Sequence, residues 1–154
     1  MEAAAPGLEY VFTIEAEIDP PRSGGAGLSG ERLHIPITGG KVYGPKLTGR
    51  VLPGGSDWPI IRRDGNSAVE AHYSIETEDG TPIYLVNKAL RCSSTEVLAR
   101  MRAGEVVSPD EYYFRGAPVF DAPDGRYQWL RESLFICSLR PKGMAVVVEI
   151  YRVL

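Results

Sequence analysis

The chain has 154 residues, with 17 basic against 20 acidic side chains and a net charge of −3. That length suits one domain with one sizeable core. A pI near 5.4 and no basic cluster larger than Arg62-Arg63 leave no electrostatic footprint for nucleic acid or for an anionic membrane. No uninterrupted apolar run approaches the ~18–20 residues that span a bilayer.

The first seven residues, Met1 to Gly7, read as a tail that lacks the basic and apolar regions of a secretory signal, and a cytoplasmic location is expected. Cys92 and Cys137 lie 45 apart with no metal-type spacing, which reads as two reduced core thiols. No cofactor or metal is expected, because HExxH, CxxC and Gly-x-Ser-x-Gly patterns are missing and no GxGxxG stands directly after a predicted strand.

With 17 glycines and 12 prolines, the chain is punctuated about every five residues, and the stretches between are short and rich in Val, Ile, Tyr and Thr. This is the pattern of an all-β domain. Leu8–Ile18 alternates apolar and polar residues and predicts a half-buried strand. The Pro- and Gly-rich stretch 19–31 predicts a flexible loop. Short strands follow over Leu33–Ile37, Lys41–Tyr43 and Leu47–Leu52, broken at Gly39-Gly40 and Gly44-Pro45. After Pro53-Gly-Gly-Ser56, Asp57 leads into a strand over Trp58–Arg63 that turns at Asp64-Gly65.

Ser67–Glu76 and Pro82–Arg91 predict a hairpin across Glu78-Asp79-Gly80. Ser94–Ala103 is the one predicted helix, with Ser/Thr caps, apolar Val97, Leu98 and Met101, and Gly104 as a stop. A bend at Ser108–Glu111 precedes strands over Tyr112–Phe120, Ser133–Leu139 and Met144–Val153. Eight to ten strands joined mainly by hairpins suit a closed or nearly closed antiparallel β-barrel of one domain, 1–154, with a sandwich as the competing architecture. A pocket is expected in the barrel mouth.

Several residues could carry chemistry. Asp57, at a strand end beside the Trp58 indole, could be a general acid with a raised pKa, or could simply cap the turn. Glu70 and His72 project to the same face and form an acid/base pair if that face lines the lumen, a solvated edge if it does not. Tyr113 and Arg115 share a face and could hold an oxyanion, or Arg115 could bridge backbone carbonyls. Arg91 offers anion recognition at a strand end. Trp129, with Tyr127, either packs over a barrel end or stacks on a flat ligand.

Seven ordered motifs run along the chain: Leu8-Glu-Tyr-Val-Phe, Ile35-Pro-Ile-Thr-Gly-Gly, Gly44-Pro-Lys-Leu-Thr-Gly, Val51-Leu-Pro-Gly-Gly-Ser-Asp-Trp58, Glu111-Tyr-Tyr-Phe-Arg115, Tyr127-Gln-Trp-Leu130 and Tyr151-Arg-Val-Leu154. By these, from Leu8 to Leu154, the chain resembles the domain of unknown function 3237 family. The resemblance implies a lipocalin or allene-oxide-cyclase type barrel. Fungal proteins that resemble it imply a cofactor-free cyclase of secondary metabolism, which adds a phenol or alcohol oxygen across an alkene of an aromatic polyketide or meroterpenoid. The sequence departs from the common bacterial pattern at His72, Val86 and Arg131, where Arg, a basic residue and Asn are usual. A non-catalytic carrier barrel is the other functional expectation, with a small aromatic molecule as partner and a homo-oligomer as the assembly.

Overall fold

A computed structural model describes all residues, 1–154. The strands are β1 (Leu8–Ile18), β2 (Arg22–Gly27), β3 (Gly30–Tyr43), β4 (Gly49–Val51), β5 (Gly55–Asp57), β6 (Ile60–Ile61), β7 (Ser67–Thr77), β8 (Pro82–Cys92), β9 (Tyr113–Asp121), β10 (Phe135–Lys142) and β11 (Ala145–Val153). One helix, α1 (Thr95–Arg102), lies between β8 and β9. Every pairing is antiparallel, and the neighbours run β1-β11-β10-β9-β8-β7-β4-β3 before β3 pairs back onto β1. The short strands β4, β5 and β6 bridge β3 and β7 in succession, so they fill one place in a closed eight-strand barrel. Closure removes the free edges that an open sheet would expose.

Alternation decides which residues face inward. Phe12 and Ile14 of β1, Tyr73 and Ile75 of β7, Ile83 and Leu85 of β8, and Val148 and Ile150 of β11 are buried and fill the barrel. At the far end of β9, a 3-10 turn at Gln128–Arg131 seats Leu130 in the core, and Trp129 packs on Phe135 with ring centroids 5.9 Å apart. That end is plugged. The other end is partly covered by α1, where Ser94 caps the Val97 amide and Leu98 is buried.

Three local expectations are corrected. Stretch 19–31 is not a loop throughout: β2 pairs with β3, Arg22 opposite His34 and Gly27 opposite Gly30, with a register shift after Ser23 that absorbs the glycines. The strands predicted on either side of Gly39-Gly40 are one strand, β3. Gly40 takes φ +134°, and a Cβ there would fall 1.9 Å from the Glu15 carbonyl oxygen, so glycine lets the chain continue against β1. The predicted Trp58–Arg63 strand is divided, because the ladder passes through β5, breaks at Trp58-Pro59 and resumes in β6.

Gly55 shows how tightly β5 is set on β7. A Cβ at Gly55 would sit 2.3 Å from Tyr73 Cβ and 2.7 Å from the His72 carbonyl oxygen. Gly55→Ala should destabilise by about 1–3 kcal/mol, the usual cost of overpacking. Gly24→Ala, where nothing lies within 4 Å, should be nearly neutral, and urea unfolding of both variants checks the contrast.

Candidate functional site

The turn at Pro53–Gly54, with Gly54 at φ +104°, sends β5 between β3 and β7. Asp57 then pairs with Ile35 on one side and Ala71 on the other, which aims its side chain into the barrel. Trp58, the next residue, turns outward and stacks on His34, with centroids 4.1 Å apart and planes inclined by 12°. His34 Nε2 lies 2.9 Å from Ser56 Oγ, so the imidazole supports the indole rather than the lumen.

Asp57 is set apart by an unmet need. Its Oδ1 is withdrawn from solvent and has no hydrogen-bond partner. Burial pushes the carboxyl from 3.8 up to about 6, an effect eased but not cancelled by the backbone amides of Glu70 and Trp58 and by the Arg91 charge. Arg91 is an inward residue of β8, with Nη2 3.5 Å from Ser67 Oγ. Burial lowers its pKa, and the nearby Arg102 of α1 lowers it further, while Tyr112 and Asp57 oppose both. A protonatable acid and a guanidinium thus share the less plugged end of the barrel. Sequence reasoning singled out both residues.

Deeper in the lumen lies a polar group that sequence reasoning missed. Asn87 Nδ2 reaches Cys137 Sγ at 3.5 Å, and burial pushes that thiol up to about 11. Gly116 makes room for the pair, since a Cβ there would lie 2.6 Å from Asn87 Oδ1 and 2.9 Å from Cys137 Sγ. Tyr73 is buried beside them, its phenol raised by burial with the Cys137 and Asp57 charges adding to it. The signal available in the sequence was weak: an Asn at an inward position of β8 is anomalous, but its partner is 50 residues away.

The other candidates lie elsewhere. Glu70 and His72 do project together, Oε2 to Nε2 at 2.9 Å, but on the outer face, where His72 Nδ1 meets the Tyr84 hydroxyl at 2.8 Å and Lys88 approaches Glu70 at 3.6 Å. The lumen placement fails because β7 directs its odd-numbered residues inward. Tyr113 and Arg115 are also outward, on β9. Arg115 is exposed and donates to one carbonyl, that of the neighbouring Phe114, at 2.9 Å, so it neither faces the lumen nor bridges carbonyls from a buried position. Trp58, Glu70, Tyr113 and Arg115 instead line a groove of about 860 Å³ on the outside of the barrel. Trp129 is at the plugged end, remote from Asp57. No group of three or more His, Cys, Asp or Glu side chains is gathered for a metal, and no helix is long and apolar enough to cross a membrane.

The raised Asp57 pKa links to stability with a definite sign. The folded form favours the protonated carboxyl, so the contribution is complete below about pH 4 and is lost as pH rises through about 6. Above that, the ionised acid costs on the order of 3 kcal/mol. Asp57→Asn, neutral at every pH, should therefore raise Tm by about 5–10 °C at pH 8 and leave it near the parent value at pH 4. A pH-independent difference between the two unfolding curves would mean that Asp57 is not desolvated.

Comparison with known proteins agrees with this architecture. The family model described as "Protein of unknown function (DUF3237)" matches residues 6–153. A UPF0311 protein of Rhodopseudomonas palustris is 42% identical over 146 residues, 95% of each chain. The crystal structure of a conserved protein of unknown function from Rhodopseudomonas palustris superposes with a TM-score of 0.92 at 39% identity, covering 99% of this chain and 100% of that one. An enzyme from Penicillium herquei has the same fold, with a TM-score of 0.76 at 21% identity over 100% and 98% of the two chains. With the family model matched almost end to end and close relatives of full length, this chain belongs to the DUF3237 family.

Proposed function

We propose that the protein is a cofactor-free cyclase that binds an aromatic polyketide or meroterpenoid in the barrel mouth and adds a phenol or alcohol oxygen across an alkene of the same molecule. The observation that carries this reading is the half-buried Asp57 carboxyl, facing inward, with Oδ1 withdrawn from solvent and without a partner, and raised to about 6. Such an acid keeps a protonated fraction near neutral pH and can give its proton to an alkene carbon. As the cation develops, the internal hydroxyl oxygen attacks it and its proton returns to the Asp57 carboxylate, so the product has the mass of the substrate. Arg91, near enough to influence the carboxyl, holds the developing negative charge at Asp57 or at the phenol oxygen. The apolar walls contributed by Val69, Ala71 and Ala89 exclude water, and holding one folded substrate conformer supplies the stereochemistry.

The barrel of the Penicillium herquei enzyme supports the reading to this extent, that the fold carries an enzyme in that protein. A barrel that binds without turnover is favoured by one feature, the filling of the lumen by Tyr73, Ile75, Ile83 and Leu85, which confines any ligand to the mouth. Purified protein, without added cofactor or metal, should convert a prenylated phenolic polyketide to a product of unchanged mass and single handedness. The rate should fall about tenfold per pH unit well above pH 6, and Asp57→Asn should abolish turnover with ligand affinity nearly intact. Unchanged turnover in Asp57→Asn would remove Asp57 from the mechanism, and binding without product would establish the carrier.

A further inference from the structure

The outer surface of the barrel carries ion pairs on most of its wall: Glu15 of β1 meets Lys41 and Lys142, Arg50 of β4 meets Glu76 of β7, Lys88 of β8 meets Glu70, and Arg140 of β10 meets Glu149. On β8, β9 and β10 the outward residues include Leu90, Tyr113, Val119 and Ile136, with 43%, 54%, 68% and 38% of their surfaces exposed, interspersed with Lys88 and Arg115. Large apolar side chains exposed on neighbouring strands, with charges set among them, are the make-up of an interaction surface. The closed wall offers no free strand edge along its circumference, and only β2, which pairs with β3 alone, keeps one beyond it, so the β8–β9–β10 wall can make contact through its outer face.

The order of charges along β9 says what covers it. Its outward residues are Tyr113, Arg115, Ala117, Val119 and Asp121. About Pro118, Ala117 mirrors Val119 and Arg115 mirrors Asp121. Neither Arg115 nor Asp121 has an ion-pair partner within the chain: Arg115 spends a donor on the Phe114 carbonyl and lies over the Tyr113 ring, and no opposite charge meets the Asp121 carboxylate. A two-fold interface requires one patch that complements itself, with residue i on one copy meeting j on the other and the reverse. Laid antiparallel on its own copy across Pro118, β9 meets that condition, since Arg115 of each chain faces Asp121 of the other and the small apolar pair Ala117 and Val119 crosses at the axis.

We propose that the β8–β9–β10 outer face is covered by a second copy of this chain, in a two-fold dimer centred on Pro118 and flanked by two reciprocal Arg115–Asp121 pairs. An ordinary interface needs about 800 Å² from each partner, roughly a tenth of the 8887 Å² surface. Val119, Val86 opposite it on β8 and Ile136 of β10 supply the apolar centre, with Leu90 and Tyr113 towards the rim.

Sedimentation equilibrium of the full chain, wild type and charge variants, tests this assignment. Wild type should be a dimer at micromolar concentration. Arg115→Glu places Glu opposite Asp121, and Asp121→Arg places Arg opposite Arg115, so each single variant should raise the dissociation constant by about a hundredfold. All these side chains are exposed, and circular dichroism should show the fold unchanged. Mixing the two single variants should form a heterodimer, and the double variant Arg115→Glu/Asp121→Arg should recover wild-type association. A monomeric wild type, single variants that remain as dimeric as the parent, or failure of both the mixture and the double variant to recover association would each overturn the proposal.

Discussion

The ladder between β1 and β3 is the constraint on which the rest depends. Ile14 pairs with Val148 on one side and with Val42 on the other, so one strand near the start of the chain is held by β11 at its end and by β3 nearby. Remove that second pairing and the same strands form an open sheet with two long free edges and an exposed apolar face. Because β1 engages both, the inward residues of every strand converge on one space, and the polar minority among them is forced into contact. The meeting of Asn87 with Cys137, and of Asp57 with the field of Arg91, follows from closure rather than from any local motif.

Closure also fixes the energetics of the site. A carboxyl on an open sheet would stay hydrated and acidic; within the barrel it loses water on Oδ1 and gains no donor in return. The domain tolerates this because the surrounding positions are well satisfied and well packed, from the capped α1 to the buried Phe12, Phe120 and Phe135 cluster. Stability is given up at one residue, while the packing around it stays intact.

The long hairpins were legible because period-two alternation and turn glycines speak of purely local geometry: β7, β8 and the connecting turn match their predicted spans closely, as does α1. Glycine and proline misled where tertiary packing reversed their usual meaning. Gly39-Gly40 permits β3 to continue against Glu15 instead of ending it, and the glycines of β2 form a ladder because β3 offers a ready partner. Within the candidate site, the turn before Asp57 and the strand-end position of Arg91 were readable. The side of the sheet on which Glu70, His72, Tyr113 and Arg115 stand was not, since alternation pairs residues without saying which set is inside. That choice is made by the whole barrel, through the apolar mass of Ala71, Tyr73 and Ile75.

The wall that carries Asp57 differs from the others. Elsewhere β7 and β8 are joined continuously from Ser67–Arg91 to Glu76–Pro82, whereas β3 and β7 are joined through three short pieces interrupted at Leu52-Pro53-Gly54 and Trp58-Pro59. Few ladder bonds secure each piece, and proline removes donors in both gaps. The seam is therefore held piece by piece, so that one piece can shift without unzipping the whole wall. Asp57 stands on one of the short pieces, where a local adjustment of β5 moves the carboxyl while β7 and β8 keep their register.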